Sequence, residues 1–480
     1  MSATAAGPST PRFLQALGLR DVVFMTVVAV VGLRWIARGA RAGPPALTLW
    51  LLAWLAFFVP LAAAVSELAS REPAQGSLYV WTRRAFGPIH GFICAWCHWV
   101  NNLFYFPSLL LFAAANAPAV LGPVGVDLAD DRRYTIGFVL VALWAVVGVS
   151  IAGFRTGRWV QNLGSLGVWL PAGLLIAAGA IVLATTGSAT PIAPADLLPA
   201  GGDLLGTISL WSAMCFAFSG LEIGSLVGLE VRRPERTIPV GIALAGIAAT
   251  LIYVLGSAAL LAAVPPDALR ERTGIVDAIE LATARVGLER VGGLTGGLLA
   301  ASALAGTLSW MAGAARVPFA AGVDRVMPAP LARLHPRYGT PYLALLVQGV
   351  LSSAIFLASV FLSTTGARPT VQEAYDVLVG LTILIYFVPY VYLFLALPKL
   401  RRLAGPAAPG EIRIPGGSLG LWLVAGGGFL ATLVSLLLVF VPPPGTASLW
   451  SYELNIAAQS AAVIGCGLLL YLIAARRPAR

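Results

Sequence analysis

Charge is scarce in this sequence. Of its 480 residues only 11% are charged, whereas 58% are hydrophobic, and the mean hydropathy is +0.86. A soluble globular protein carries about 25% charged residues, so this chain cannot cover a water-facing surface of its size. Its length would suit about three soluble domains, but no stretch of that size has a soluble composition. The composition predicts one polytopic membrane domain.

Residues that hold metals and cofactors are also few. The sequence has three histidines and four cysteines, and they form no cluster with metal-ligand spacing. It has no loop of the GxxxxGK[ST] type, so ATP-driven transport is unsupported. We therefore expect no cofactor and no metal. Cys94 and Cys97 have CxxC spacing, which leaves a membrane redox enzyme as a minor alternative.

Long apolar runs fill the chain instead. A transmembrane helix needs about 20 predominantly apolar residues, and we count twelve such spans. They lie at 21–41, 47–70, 91–118, 134–153, 161–185, 204–230, 238–264, 292–319, 341–362, 376–397, 420–441 and 454–474. We therefore expect nearly the whole chain to lie within the lipid bilayer.

The basic residues indicate an orientation in the membrane. The net charge of +10 comes from residues scattered over short loops, a pattern that does not indicate nucleic-acid binding. With the N-terminus inside, the inner segments hold 21 lysines and arginines, the outer loops hold nine, and Arg34 lies within a span. Cytoplasmic loops carry such an excess. We expect a multi-pass protein of the cell (plasma or inner) membrane with both termini cytoplasmic.

Two spans are interrupted by glycine next to a charged residue. Span one contains Gly32-Leu33-Arg34, and span six contains Ser219-Gly220 with Glu222 close behind. Because the two lie five spans apart, they cross the membrane in opposite directions. Interrupted helices at matching positions of two inverted halves point to the substrate site of a secondary transporter. The alternative is that these glycines only allow close helix packing.

Arg34 has two possible positions. An arginine at the bilayer centre costs about 2.5–3.5 kcal/mol on insertion scales. It therefore faces a cavity or lies near the outer end and extends to the interface, as we expect of Arg38 and Arg41. In a cavity, Arg34 would favour an acidic or zwitterionic substrate and disfavour polyamines.

Two loops are more than connectors. Residues 72–86 are expected to form a short interfacial helix on the inner side. Residues 265–290 form an outer loop whose helical patch, 275–286, is long enough to act as a lid or as a structural cap.

Five segments in register resemble the amino acid–polyamine–organocation (APC) superfamily of permeases over nearly the whole chain. They are Glu67–Tyr79 with Phe86-Gly-Pro; Cys215–Pro239; Gly306–Arg316 with Asp324, Met327-Pro328 and 335–341; Ile414–Gly417; and Phe440–Pro443. The last two resemble its glutamate/GABA antiporter branch in particular.

The resemblance implies an all-α polytopic membrane protein of the LeuT-type fold: five spans, five inverted spans and two extra helices. The expected units are a cytoplasmic N-terminal lead (1–20), a ten-span transport core (21–397), a cytoplasmic loop (398–419), two accessory spans (420–474) and a cytoplasmic tail (475–480).

The function that the resemblance implies is secondary active transport of a small amino acid or related amine by alternating access, not enzymatic catalysis. Transport would run as proton symport or as substrate exchange. The alternatives are a polyamine/organocation permease and a non-transporting nutrient sensor on the same fold. The oligomeric state stays open.

The resemblance also implies site residues. The expected substrate-binding set is Gly32, Leu33, Arg34, Asn101, Phe216, Phe218, Ser219, Gly220 and Trp310, with Glu222 for coupling or gating. Phe216 resembles an aromatic gate, and exposed helix ends at the breaks would attract the carboxylate and ammonium groups. Core packing is the alternative for Phe216 and Trp310, and interhelical hydrogen bonding the alternative for Asn101 and Asn102.

The chain departs from the family pattern at two points. Span one has Gly32 alone where the family usually has a Gly-small-Gly run, so the family pattern does not specify which residues unwind there. Span five has no lysine, since the only lysine of the chain is Lys399, and thus no lysine replaces a coupling sodium ion. Glu222 and His98 are the buried groups left to titrate, and a structural hydrogen bond is the expected role of His98.

Overall fold

In the computed structural model, the structure describes residues 18–71, 77–122, 128–129, 131–199, 204–221, 233–284, 290–315, 329–361, 370–405, 411–441 and 449–475. This part of the chain forms helices and turns, with no strand. Its α-helices are α1 (Leu19–Val30), α2 (Arg34–Ala40), α3 (Pro45–Ala53), α4 (Val59–Arg71), α5 (Ser77–Phe86), α6 (Pro88–Asn116), α7 (Arg132–Ala152), α8 (Phe154–Thr185), α9 (Leu204–Ala217), α10 (Pro234–Ala263), α11 (Gly274–Ala284), α12 (Val291–Ala314), α13 (Tyr342–Phe361), α14 (Val371–Ala404), α15 (Gly417–Leu438) and α16 (Leu449–Ala475).

Ten of the described helices are long and apolar enough to cross a membrane. One of them is continuous from Pro45 to Arg71, because a π-helical turn joins α3 to α4. One runs from Pro88 to Leu121, through α6 and the 3-10 helix that follows it, and the other eight lie within α7, α8, α10, α12, α13, α14, α15 and α16. This confirms the prediction of an all-α polytopic membrane protein. The count of twelve spans stays a prediction, since spans one and six appear as shorter helices.

Those two shorter spans are broken where the sequence predicts it. In span one, α1 ends at Val30 and α2 begins at Arg34, with three non-helical residues between them. In span six, α9 ends at Ala217, and the backbone turns through Ser219 and Gly220. Gly220 has a φ of +99°, in the region that glycine adopts without steric cost. The backbone itself thus requires glycine at the second break.

Both breaks lie inside the protein. Helix α10 packs against α1 and α2, and α9 packs against α2, α3 and α15. Leu33, Ser219 and Leu221 are buried. Non-helical backbone at membrane depth is tolerated only where protein or a water-filled cavity covers it, and here protein surrounds it.

The two predicted loop helices are present. Helix α5 packs against α6 and α14 on the predicted inner side; residues 72–76 lie outside the described part. Helix α11 occupies most of the predicted patch, and its buried face, with Ile275 and Ile279 one turn apart, covers α8 and α12. Residues 285–289 lie outside the described part.

A buried ion cluster fixes the connection between α14 and α15. Glu67 at the end of α4 accepts a hydrogen bond from the Ile414 backbone N–H at 2.8 Å, and its other oxygen lies 3.2 Å from Arg401 Nε. Ser70 Oγ accepts one from the Ile412 N–H at 3.0 Å, and Arg401 Nη2 donates to the Ile414 carbonyl at 3.1 Å. The connection is thereby tied to the ends of α4 and α14 on the predicted inner side.

Candidate functional site

A cavity lies between the two breaks. Its volume is about 60 Å³, which is more than the space that one water molecule needs. Its lining is Val30, Val31, Gly32, Leu33, Arg34, Trp35, Asn101, Asn102, Tyr105, Leu109, Phe112, Phe216, Ala217, Ser219, Leu299, Ser302, Ala303, Gly306, Trp310 and Tyr386.

Most of the residues expected from the sequence lie around this cavity. The lining includes Gly32, Leu33, Arg34, Asn101, Phe216, Ser219 and Trp310. Phe218 does not line it. Its ring instead packs against Trp50 at a centroid distance of 5.8 Å and against Phe58 at 5.4 Å.

The remaining two expected residues lie elsewhere. Gly220 is set back from the cavity, and its N–H donates to the Tyr390 hydroxyl at 3.0 Å. Glu222 lies outside the described residues.

One tyrosine connects the two breaks. The Tyr253 hydroxyl of α10 accepts a hydrogen bond from the Gly32 N–H at 3.2 Å. It also lies 2.9 Å from the Val30 carbonyl and 3.1 Å from the Ala217 carbonyl, and its single proton can go to one of these at a time. A fully buried hydroxyl thus satisfies backbone groups that the breaks would otherwise leave unpaired.

Aromatic rings form much of the cavity wall. The Phe216 ring makes an edge contact with Trp35 at 5.3 Å and with Tyr386 at 5.5 Å. Trp310 lies 5.8 Å from Tyr105 and 6.2 Å from Tyr386. Such rings shield a small ligand from water and also offer faces that attract an ammonium group.

Arg34 is buried in this wall and is only 1% exposed. Its guanidinium carbon lies 4.4 Å from the centroid of the Trp35 ring and 4.9 Å from that of the Tyr105 ring. Nη1 donates to Ser108 Oγ at 3.0 Å. Arg34 therefore lines the cavity. It does not extend to the membrane interface, which was the other position that the sequence left open.

The polar residues of α6 serve partly to organise the helix itself. The side-chain amides of Asn101 and Asn102 both donate to the His98 carbonyl, at 3.3 and 2.7 Å. Both asparagines also line the cavity. The His98 ring lies 5.5 Å from that of Tyr386, and its Nδ1 has no hydrogen-bond partner among the described residues.

An ion cluster covers the predicted outer side of the cavity. Arg38, one turn after Arg34 on α2, contacts Glu271 of the loop before α11 at 2.5 Å and Asp376 of α14 at 3.2 Å. Arg41 reaches the second Glu271 oxygen at 3.2 Å. The expectation that Arg38 extends to the interface is therefore wrong, because two carboxylates hold it in the protein, where it is 5% exposed.

Further polar contacts hold the loop before α11 against the neighbouring helices. Arg272 Nε donates to Gln372 Oε1 at 3.1 Å, and the Asn116 amide donates to the Arg272 carbonyl at 2.8 Å. On α11, burial above all, together with nearby Asp277, raises the pKa of the Glu280 carboxyl. The loop thus joins α2, α6 and α14 on one side of the cavity.

The described part of the chain contains no group of three or more His, Cys, Asp or Glu residues placed to hold a metal ion. The cysteines are free thiols, and Cys94 Sγ approaches the Leu78 carbonyl at 3.7 Å.

Comparison with known proteins places the chain in a family. Residues 17–466 match the family model described as amino acid permease. The chain belongs to the amino acid permease family, within the APC superfamily. The permease is therefore a membrane transporter and not an enzyme, and the alternative of a membrane redox enzyme at Cys94 and Cys97 is wrong.

Curated relatives cover most of the permease. An uncharacterized transporter of Legionella pneumophila is 29% identical over 89% of this chain and 90% of its own. A probable agmatine/putrescine antiporter of Lactococcus lactis is 23% identical over 88% of each chain. A glutamate/gamma-aminobutyrate antiporter of the same species is 24% identical over 83% of this chain and 78% of its own. The last two relatives are about equally distant from this chain and are named for different compounds, so neither identifies the substrate of the permease.

Several residues around the site were not predicted from the sequence. Tyr105 and Tyr386 line the cavity, and Tyr253 and Tyr390 bond the two breaks. A usable signal was present, because a tyrosine hydroxyl inside an apolar span needs a hydrogen-bond partner. Tyr105 also follows Asn101 by four residues, which places both on one face of α6.

Proposed function

We propose that the permease moves an amino acid or related amine by alternating access, with the cavity between the two breaks as its substrate site. The observation that carries the proposal is the position of the cavity. Both broken spans line it, through Gly32 to Arg34 and through Phe216, Ala217 and Ser219. Substrate sites of secondary transporters lie where discontinuous helices meet near the bilayer midplane.

The ion cluster of Arg38, Arg41, Glu271 and Asp376 acts in this proposal as the outer gate. It joins the second half of span one to the loop before α11 and to α14. Access from that side requires α2 to separate from Glu271 and Asp376. Trp35 and Phe216 lie on the two broken spans and move with them, and together with Tyr386 of α14 they cover the substrate once it is bound.

Coupling runs as proton symport or substrate exchange, with Glu222 as the proton-binding group. The support is the sequence: Glu222 follows the break of span six by two residues, and span five has no lysine to replace a coupling sodium ion. An ionisable group at membrane depth in a transporter commonly belongs to an ion pathway. The protein acts in the cell membrane with both termini cytoplasmic, as the arginine distribution favours.

The test is a counterflow panel. The purified protein is reconstituted in liposomes loaded with one unlabelled amino acid or amine, and uptake of labelled compounds is measured with and without a pH gradient. Accumulation that depends on the internal compound is the expected result. The absence of counterflow for every amino acid and amine tested would refute the transport proposal.

Replacing Glu222 by glutamine tests the coupling. We expect Glu222→Gln to flatten the pH dependence of uptake while exchange at a fixed pH persists, because the amide keeps the shape of the side chain and cannot titrate. A variant that keeps the pH profile of the parent would place proton coupling at another group.

A further inference from the structure

The two nitrogens of Arg34 that lack a partner form one edge of its guanidinium. Nη1 is occupied by Ser108, whereas Nε and Nη2 make no hydrogen bond within the described part of the chain. Nε–H and one Nη2–H point the same way, and this pair of donors matches the two oxygens of a carboxylate. A buried donor without an acceptor costs free energy. Two such donors on one edge of the guanidinium would be satisfied by a ligand that supplies two acceptor oxygens.

The neighbours of Arg34 hold that edge in place. Trp35 and Tyr105 cover the guanidinium from their ring faces, and Ser108 Oγ, itself bonded to the Tyr105 carbonyl at 2.8 Å, fixes the opposite side. The two open nitrogens have almost no accessible surface. A ligand in the cavity can reach the two nitrogens only after the Trp35 and Tyr105 rings have shifted slightly. The opening and closing of a binding site would allow such a shift.

Charge balance narrows the class of ligand. Among the described residues that line the cavity, Arg34 is the only charged side chain, and no aspartate or glutamate faces it there. A buried charge without a counter-charge is strongly unfavourable. A zwitterion would pair its carboxylate with Arg34 and leave the cavity with a net charge of +1, whereas a diamine would add further positive charge. Counted over the described lining residues, a substrate of charge −1 makes the occupied cavity neutral.

We propose that Arg34 binds a substrate carboxylate through its Nε/Nη2 edge, and that the permease takes acidic amino acids, with two carboxylates and one ammonium group, in preference to neutral amino acids and amines. The ammonium group finds the aromatic wall, where Phe216, Trp310 and Tyr386 offer ring faces. This inference rests on the proposed function and specifies the substrate class of the same site.

The experiment uses glutamate and glutamine, which have nearly the same shape and differ in charge. Counterflow of both, and of putrescine, is measured in liposomes for the parent, for Arg34→Gln and for Arg34→Lys. The matched control is Arg337→Gln, the same substitution at an exposed residue of the loop before α13. The control is expected to behave like the parent.

The parent should prefer glutamate to glutamine and should not take up putrescine. In Arg34→Gln, the KM for glutamate should rise roughly 30-fold or more, and the preference should invert towards glutamine. Arg34→Lys should keep the preference with a weaker affinity, because lysine retains the charge and lacks the planar edge. Uptake of glutamine by Arg34→Gln shows at the same time that this variant is folded.

Two results would overturn the inference. A parent that prefers glutamine or putrescine to glutamate would show that a negative group outside the described residues balances Arg34; the transport proposal would still stand. An equal loss of glutamate and glutamine uptake in Arg34→Gln, with the protein still monodisperse, would make Arg34 a structural residue. A parent that transports none of the amino acids or amines in the full panel would refute the proposed function itself.

Discussion

At the residue scale, the Tyr253 hydroxyl joins two chain breaks that lie more than 180 residues apart in the sequence. It contacts the backbone of Gly32, Val30 and Ala217, and its ring stacks on Trp50 at 4.2 Å. Membrane helices lack water that would satisfy free N–H and C=O groups. A single side chain therefore satisfies backbone groups at both breaks.

Replacing Tyr253 by phenylalanine tests this role. Tyr253→Phe keeps the stacked ring and removes the hydroxyl, which leaves at least one buried backbone group unpaired, at a cost of about 1–3 kcal/mol. We expect a lower Tm in detergent. The control is Tyr471→Phe, since the hydroxyl of Tyr471 has no hydrogen bond to a described residue although its ring contacts Phe92. Equal Tm values for both variants would contradict the role of Tyr253.

The residues predicted from the sequence and those missed differ in a physical way. Gly32, Arg34 and Ser219 could be predicted, because a glycine or a charge inside an apolar run is costly and needs a reason. The position of Phe218 could not be predicted. It depends on how the chain turns after α9, and in that turn Phe216 faces the cavity while Phe218 faces Trp50 and Phe58.

At the scale of elements, the proposed outer gate is a contact between one half-helix, one loop and one long helix. Glu271 is 2% exposed at its side chain and pairs with both Arg38 and Arg41. Removing one partner of a buried ion pair leaves the other charge uncompensated. The closed arrangement of α2 against the loop thus depends on Glu271 more than on any exposed pair.

Labelling of a cysteine in the cavity measures that dependence. Ser302 lines the cavity, so in a background without native cysteines Ser302→Cys reports access for a membrane-impermeant maleimide. Glu271→Gln should raise the labelling rate severalfold, because the outer gate is weakened.

The matched control lies on the same loop. Asp277 pairs with Arg270 at 2.6 Å, and the two side chains are 26% and 53% exposed. Exposed pairs contribute only about 0–1 kcal/mol, so Asp277→Asn should leave the labelling rate unchanged. If both variants labelled at the rate of the parent, the ion cluster would not be a gate.

The connection between α14 and α15, on the predicted inner side, depends on another buried carboxylate. The Glu67 side chain has no exposed surface and meets Arg401 and the Ile414 N–H. Glu67→Gln should cost about 3–5 kcal/mol by leaving Arg401 without its counter-charge, measured as a fall in Tm. Asp277→Asn, at the pair with Arg270 whose side chains are 26% and 53% exposed, should cost at most about 1 kcal/mol. Similar Tm values for the two variants would contradict this account.

At the scale of the whole molecule, composition and periodicity predicted the fold class, because only a bilayer accommodates so many apolar helices. They also predicted which two spans are interrupted. The ion cluster of the proposed outer gate could not be predicted, since Arg38, Glu271 and Asp376 are far apart in the sequence and meet only in the fold. The division into a ten-span core (21–397) and two accessory spans (420–474) stays a prediction.

The central claim is that the substrate lies between the two broken spans, and a structure with bound substrate tests it most directly. Electron cryo-microscopy of the permease with the compound that gives the strongest counterflow should show density in the cavity, in contact with Arg34 and the backbone near Gly32 and Ser219. Density at another place in the protein, with this cavity empty, would contradict the account.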